Sequence, residues 1–421
     1  VIDDRTLGRV MPRGMVALTG DLVRASAWML VVVLLLTFAG VYARLAGLLF
    51  AKPGANDFTI LYYTARMADD GFQMYGNLPT EYGLDWKAPH LGNLNPPHFQ
   101  LLVAPLVPLG YRGALVAWLV ANVLIVAACA WIVVRELRPA LTLKRMLLAT
   151  LLVFASAAWT SVAVTGEMSL LLLLPCTGAW VAARRGRWEV AGVLLGVAAS
   201  LKVFLLVFGA WLIVARRWRA AAWMAAGAIV PFALGVAVYG DMAYIAWLHR
   251  LSHVGWWWLP MNLSLRGMAD RVFVAHGPFA AVFAAPAVVQ PAWLVAALVV
   301  VAVTAWRTWP ARGVDVDRVF ATLLVAALLV SPLGWIYYLP LATAPVVALA
   351  IRRELSGPGP LRVALAAIAL AFLYVPVEVT ERGQPSALAT LGLACAHGWG
   401  ALLLWVRLVL RDAPPAAGSA A

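Results

Sequence analysis

The residues of this chain that could do chemistry are few, and they stand where long apolar stretches stop. Asp57 opens Asp57-Phe58-Thr59-Ile60-Leu61-Tyr62-Tyr63, directly after the first long hydrophobic segment. Glu167 sits in Thr165-Gly166-Glu167-Met168, Lys202 follows Ser200-Leu201, and Arg266 lies in Asn262-Leu263-Ser264-Leu265-Arg266-Gly267. Asn95 and His98 belong to Asn95-Pro96-Pro97-His98-Phe99, and Trp335, Tyr337 and Tyr338 follow Ser331-Pro332. Ionisable groups beside apolar segments are costly, so they point to function. A carboxylate at Asp57 could serve as a general base on a hydroxyl. A lone Lys202 or Arg266 could bind a lipid phosphate. Asn95, His98, Glu167, Asn262, Trp335, Tyr337 and Tyr338 could contact a sugar or headgroup through hydrogen bonds and ring faces.

Each residue also has a plainer reading. Asp57 could be only a helix N-cap. Lys202 and Arg266 could snorkel to an interface. Glu167 could cap the next helix, Asn95-Pro96-Pro97 could be a rigid turn, and the Trp335 to Tyr338 aromatics could be an interfacial belt. Asp69-Asp70 before Gly71 reads as a solvated turn, so no metal is expected. His249, His253, His276 and His397 show no metal-like spacing and read as structural.

The elements that must position these groups are set by composition. Of 421 residues, 64% are hydrophobic and 12% charged, far from soluble usage. The apolar runs predict an all-α polytopic membrane protein with about 12 transmembrane helices. A single domain over 1–412 would carry large outer loops at 51–110 and 240–285, followed by a disordered tail at 413–421. Phe58, Leu61, Tyr62, Ala65 and Ala68 fall on one helical face, between Asp57 and Gly71. Such an amphipathic helix could lie flat in the membrane interface. Residues 189–215 begin and end at basic clusters and are too few for two full spans, which predicts two short helices meeting near Lys202.

The net charge of +13 is concentrated in short loops, among them Arg135 and Arg138, Arg184 and Arg185, and Arg216 and Arg217. That pattern marks cytoplasmic loops and excludes a nucleic-acid patch. It places both termini in the cytoplasm and the candidate residues on the extracytoplasmic side. Cys129, Cys176 and Cys395 lie in apolar stretches, without metal or disulfide spacing.

Taken in order, several of these residues resemble glycosyltransferase family 87, over roughly residues 55–345. The likeness rests on Asp57-Phe58 with Tyr62, Ala65, Gly71 and Tyr75, and on Asn95-Pro96-Pro97 with Pro105. It continues through Gly166-Glu167, Arg184-Arg185-Gly186-Arg187 with Ala191-Gly192 and Lys202, Asn262 with Ser264 and Gly267, and Ser331-Pro332 with Trp335. The resemblance implies a GT-C membrane fold and Asp57 as catalytic base. It also implies a polyprenyl-phosphate sugar donor, a glycolipid or lipid-linked acceptor and no cofactor, in the bacterial cell membrane. The sugar is expected to be mannose. An arabinofuranosyltransferase, or a transporter or flippase for lipid-linked sugar, is the competing reading. Two positions depart from the family pattern: Glu167 stands where glutamine is common, and Tyr337 where histidine is.

Overall fold

The computed structural model describes residues 36–410 apart from 38, 52–55, 77–81, 83–91, 139–141, 143–145, 147–148, 151–152, 278, 311–312, 314, 353–359 and 384–385. The expected N-terminal cytoplasmic segment and the tail at 413–421 lie outside the described residues. The described chain is all-α. Its helices run α1 (Ala39–Ala51), α2 (Asp57–Asp69), α3 (Gly110–Leu137), α4 (Ala157–Thr165), α5 (Ser169–Arg184), α6 (Trp188–Leu201), α7 (Val207–Val214) and α8 (Trp218–Ser252). They continue with α9 (Leu265–Phe273), α10 (Val289–Arg307), α11 (Val316–Val330), α12 (Thr343–Ile351), α13 (Pro360–Leu373) and α14 (Ala396–Val409).

The expectation of about 12 membrane spans does not hold. Among the described residues, three helices are long and apolar enough to cross a membrane: Pro97–Leu137, Trp218–Ser252 and Pro286–Arg307. A fourth is added if Ala387–Ala394 and Ala396–Val409, bent by 54°, count as one span. The reason lies in the breaks within apolar runs. The stretch at 335–351 is a 3-10 helix over Ile336–Ala342, with Pro340 inside it, followed by the short α12. Within 146–164 the helix is interrupted at Ser156, whose backbone is extended, and the nine residues of α4 follow it. Part of the expected outer loop at 51–110 is helical as well: from Pro97 the chain runs on into α3 as one 41-residue helical segment ending at Leu137. Helix α8 passes beyond 239 to Ser252 through a kink at Gly240, where φ is 77°. Hydropathy records that a run avoids water; it does not say whether lipid or protein surrounds it.

Helix α11 shows the difference. It is buried at every position from Asp317 to Leu329, as a helix apolar all round must be when protein encloses it. Helices α6 and α8 meet through glycines. A Cβ at Gly196 would lie 2.0 Å from the Met224 carbonyl oxygen, and one at Gly192 2.2 Å from that of Ala220. Small residues four apart allow this backbone approach, and it fixes the end of α6 from which Lys202 emerges.

At the opposite end of the bundle, an ion network ties four helices together. Arg184 on α5 donates from Nη1 to both Asp317 carboxylate oxygens on α11 (2.7 and 2.6 Å) and from Nε to Glu136 on α3 (3.1 Å). Arg352, beside α12, lies 3.0 Å from Asp317, and Trp180 Nε1 donates to the same carboxylate at 2.8 Å. Removing one partner of a buried ion pair strands the other charge, at a cost of roughly 3–5 kcal/mol. Because Arg184 keeps 25% of its side chain exposed, the low end of that range applies. Asp317→Ala is therefore expected to lower the melting temperature of the detergent-solubilised protein clearly. Glu189→Ala, which breaks the exposed Arg219–Glu189 pair at 3.7 Å, is expected to leave it within error.

Candidate active site

Asp57 is the first residue of α2 and not its cap. That place belongs to Asn56, whose Oδ1 accepts from the Thr59 backbone N–H (3.0 Å) and the Thr59 hydroxyl (3.1 Å). With the cap filled by its neighbour, the Asp57 carboxylate is released from that duty. The helix is held by its buried face: the Phe58 ring lies 5.5 Å from Trp118 and 5.8 Å from Tyr111. Thr59, Tyr63, Thr64 and Met67 are buried as well, so α2 is enclosed on more sides than a helix lying flat on a membrane.

Glu167 arrives beside α2 through the turn between α4 and α5. Gly166 makes that turn with φ 65°, a left-handed conformation that glycine adopts without strain. The turn is pinned to α3 by the Trp118 indole, which donates to the Gly166 carbonyl at 3.0 Å. Glu167 Oε1 accepts from the Tyr338 hydroxyl at 2.8 Å and lies 3.8 Å from Lys202 Nζ. The lysine also stands 5.2 Å from the Tyr338 ring centroid, where a cation meets the negative face of the ring.

These groups line two neighbouring cavities. The smaller, about 70 Å³, is lined by Asp57, Asn93, Asn95, Glu167, Lys202 and Tyr337, with Trp256 and Trp335 at its sides. The larger, about 660 Å³, begins at Lys202, Trp335 and Tyr338 and continues along apolar faces of α7, α10 and α11 to Thr308 and Trp309. Trp293 and Thr308 both line it, so at 1.5 Å per residue it follows α10 for roughly 22 Å. Lys202, Leu94 and Trp335 belong to both cavities. Asp57 is half-buried at the cavity wall. Burial first, and the charge of Glu167 second, push its pKa up from 3.8 to about 8, while Lys202 pulls it down.

The remaining candidates fall elsewhere. Arg266 lies between Trp257 and Trp293, 5.6 and 5.8 Å from their ring centroids, and donates to Gln290. It lines neither cavity. Asn262 is fully buried and spends its amide on backbone: Nδ2 donates to the carbonyls of Trp257 and Pro332 (both 2.9 Å), and Oδ1 accepts from the N–H groups of Ser264 and Gly334. It forms an antiparallel bridge with Trp335 and so holds that ring against the cavities. His98 Nε2 donates to the Ser200 carbonyl at 3.1 Å, and Nδ1 lies 3.0 Å from the Tyr244 hydroxyl. It ties the start of the α3 segment to the turn before Lys202.

Sequence reasoning missed three residues. Asn93 lines the small cavity, and its spacing of two from Asn95 was the available signal. Trp256, in the expected second outer loop at 240–285, also lines this cavity. Arg271 is wholly buried and donates to the carbonyls of Trp258, Leu259 and Asn262 at 2.9–3.1 Å. It locks the turn that carries Asn262, and no local pattern announced it.

A polar cavity at the head of a long apolar groove suits an enzyme that works on lipid-linked substrates. The model of glycosyltransferase family 87 matches residues 93–332, more than half of the chain, which therefore belongs to that family. Asp57 precedes the matched region. The chain is 26% identical, over 391 residues, to the polyprenol-phosphate-mannose-dependent alpha-(1-2)-phosphatidylinositol pentamannoside mannosyltransferase of Mycolicibacterium smegmatis. That similarity covers 88% of this chain and 90% of the relative. A protein of the same name from Mycobacterium tuberculosis is 26% identical over 275 residues, 60% of each chain. No solved structure matches the chain.

Lys202 is the counter-charge that restrains Asp57. Lys202→Met is expected to move Asp57 protonation to a pH above 8. An infrared titration of its carboxyl band, assigned by subtracting Asp57→Asn spectra, would report the move; an unmoved band would separate the two groups electrostatically.

Proposed function

We propose that this protein transfers a mannosyl residue from a polyprenyl-phosphate donor to a glycolipid or lipid-linked glycan. The reaction takes place on the extracytoplasmic face of a bacterial cell membrane. The observation that carries this reading is the double position of Lys202, beside Asp57 in the polar cavity and at the head of the apolar groove. A polyprenyl phosphate has the matching shape: one anionic group on a long hydrocarbon chain. Placed with its phosphate at Lys202, its chain follows the groove. The groove runs along most of a hydrocarbon core about 30 Å thick. The donor sugar then reaches the Asp57 cavity.

The chemistry follows from these placements. The acceptor hydroxyl oxygen attacks the anomeric carbon as Asp57 takes its proton. The bond from that carbon to the phosphate oxygen breaks, and polyprenyl phosphate leaves with the electron pair. Lys202 offsets the charge gathering on the departing phosphate, an interaction strengthened where water is excluded. Glu167 and Tyr338 hold the lysine in place. With the second carboxylate, Glu167, engaged by Lys202 and Tyr338, Asp57 acts as a base without a partner nucleophile, which favours direct displacement with inversion. The face assignment is supported by the arginine cluster of Arg184 and Arg185, which lies at the far end of α5 from Glu167, as cytoplasmic basic loops require. Mannose is supported by the names of the two relatives.

Transfer from radiolabelled polyprenyl-phosphate-mannose to membrane glycolipid, in lipid nanodiscs, tests the reading. Asp57→Asn is expected to lose about 10²–10⁴-fold in rate. Near-normal turnover by folded Asp57→Asn would sink the assignment. Transfer from an arabinofuranosyl donor alone would change the sugar, and donor crossing liposomes unaltered would indicate a transporter. Asp57 must be ionised to act, and its pKa is raised to about 8. In wild type, kcat/KM is therefore expected to rise about tenfold per pH unit on the acid side of that value and then level off. A profile flat across this range would exclude Asp57 as the base.

A further inference from the structure

Asn93 and Asn95 are 6% and 5% exposed and both line the small cavity beside Asp57. Their amide orientations follow from one bond. The Asn95 backbone N–H can only donate, and it meets the Asn93 side chain at 2.8 Å, so the atom facing it is Oδ1. The Asn95 side chain also meets Asn93 Oδ1, at 3.0 Å, and an acceptor there requires the Asn95 atom to be Nδ2. Two polar atoms remain: Asn93 Nδ2, a donor, and Asn95 Oδ1, an acceptor. Both are buried and without a hydrogen-bond partner among the described residues. Leaving such groups unpaired costs about 1–3 kcal/mol each, and the fold goes to some length to keep them there. The Asn95 carbonyl accepts from the Tyr75 hydroxyl at 2.6 Å, and the Leu94 carbonyl from the Trp247 indole at 3.0 Å.

We infer that Asn93 and Asn95 form a hydroxyl-recognition pair that fixes a sugar ring against Asp57. The inference rests on the glycosyltransferase reading and deepens it. A free donor and a free acceptor on bonded neighbouring amides match adjacent sugar hydroxyls, one accepting from Asn93 Nδ2 and the other donating to Asn95 Oδ1. A phosphate oxygen accepts only and would leave Asn95 Oδ1 unpaired; an acyl chain would satisfy neither atom. A hydroxyl that meets each atom relieves the cost of leaving it unpaired. A site built to hydrogen-bond a hydroxyl rejects ligands that lack it, because its own buried groups are then stranded. The pair thus selects for a carbohydrate at Asp57, from either the donor or the acceptor.

The test is equilibrium binding to the full chain in nanodiscs, in an Asp57→Asn background where turnover is removed. Two lipid pairs are compared: polyprenyl-phosphate-mannose against sugar-free polyprenyl phosphate, and a phosphatidylinositol mannoside against phosphatidylinositol. Asn93→Ala and Asn95→Ala are expected to lower the preference for the sugar-bearing lipid in one pair by about tenfold, roughly the worth of one hydrogen bond. Affinity for the sugar-free lipid should stay unchanged, and the pair that responds identifies the donor or acceptor sugar. Because Asn95→Asp would also remove the Nδ2 donor to Asn93, the sugar-free affinity of the same alanine variants is the control that separates recognition from misfolding. An unchanged preference in both pairs, or no preference before the alanine substitutions, overturns the inference. Absence of transfer by wild type would count against the mannosyltransferase reading alone, since the binding ratio is read without turnover.

Discussion

The Lys202 ammonium, held between Glu167 and the Tyr338 ring in a site poor in water, is the interaction on which the rest depends. Without it, two carboxylates would face one another inside protein, and one would be driven neutral. With it, Glu167 has a partner and Asp57 remains titratable near 8, within reach of the ionised state a general base needs. The same cation stands where the polar cavity opens into the apolar groove. One side chain thus links the charge balance of the pocket to its affinity for an anionic lipid.

Much of the fold can be understood as holding that lysine and its surroundings in place. The glycine-mediated contact of α6 with α8 sets where α6 ends. His98 reaches back to the Ser200 carbonyl, two residues ahead of Lys202. On the other wall, Asn262 and Arg271 bind backbone groups of the 257–264 turn and keep Trp335 beside the cavities. These residues touch no reacting group in the proposed chemistry. They matter because a site shared by a lipid phosphate and a sugar tolerates little displacement.

The local structure of the site was largely legible, and the global architecture was not. The 3.6-residue spacing of Phe58, Leu61, Tyr62 and Ala65 gave the buried face of α2, because periodicity is a property of the segment itself. The isolation of Lys202 between two apolar runs marked a break in helix, and the structure has one there. Asp57 looked like a cap because an acidic residue before an apolar helix usually is; Asn56, one residue earlier, took the role. The span count failed for a different reason. A helix such as α11 is as apolar as a membrane span, yet protein surrounds it. Arg266 and Asn262 were chosen for residue type and for their place beside apolar segments, and only tertiary contacts show that one lies between tryptophans and the other binds backbone. Asn93 gained significance from its bond to Asn95, a contact that composition does not express.

The central claim is that one carboxylate, with a lysine facing the leaving phosphate, drives a single direct displacement. The most direct test is the anomeric configuration of the product made from a polyprenyl-phosphate-mannose of known configuration, read by NMR on the newly formed linkage. A linkage of opposite configuration to the donor is the predicted result. Retained configuration would require a second nucleophile or a second displacement, and would contradict the account.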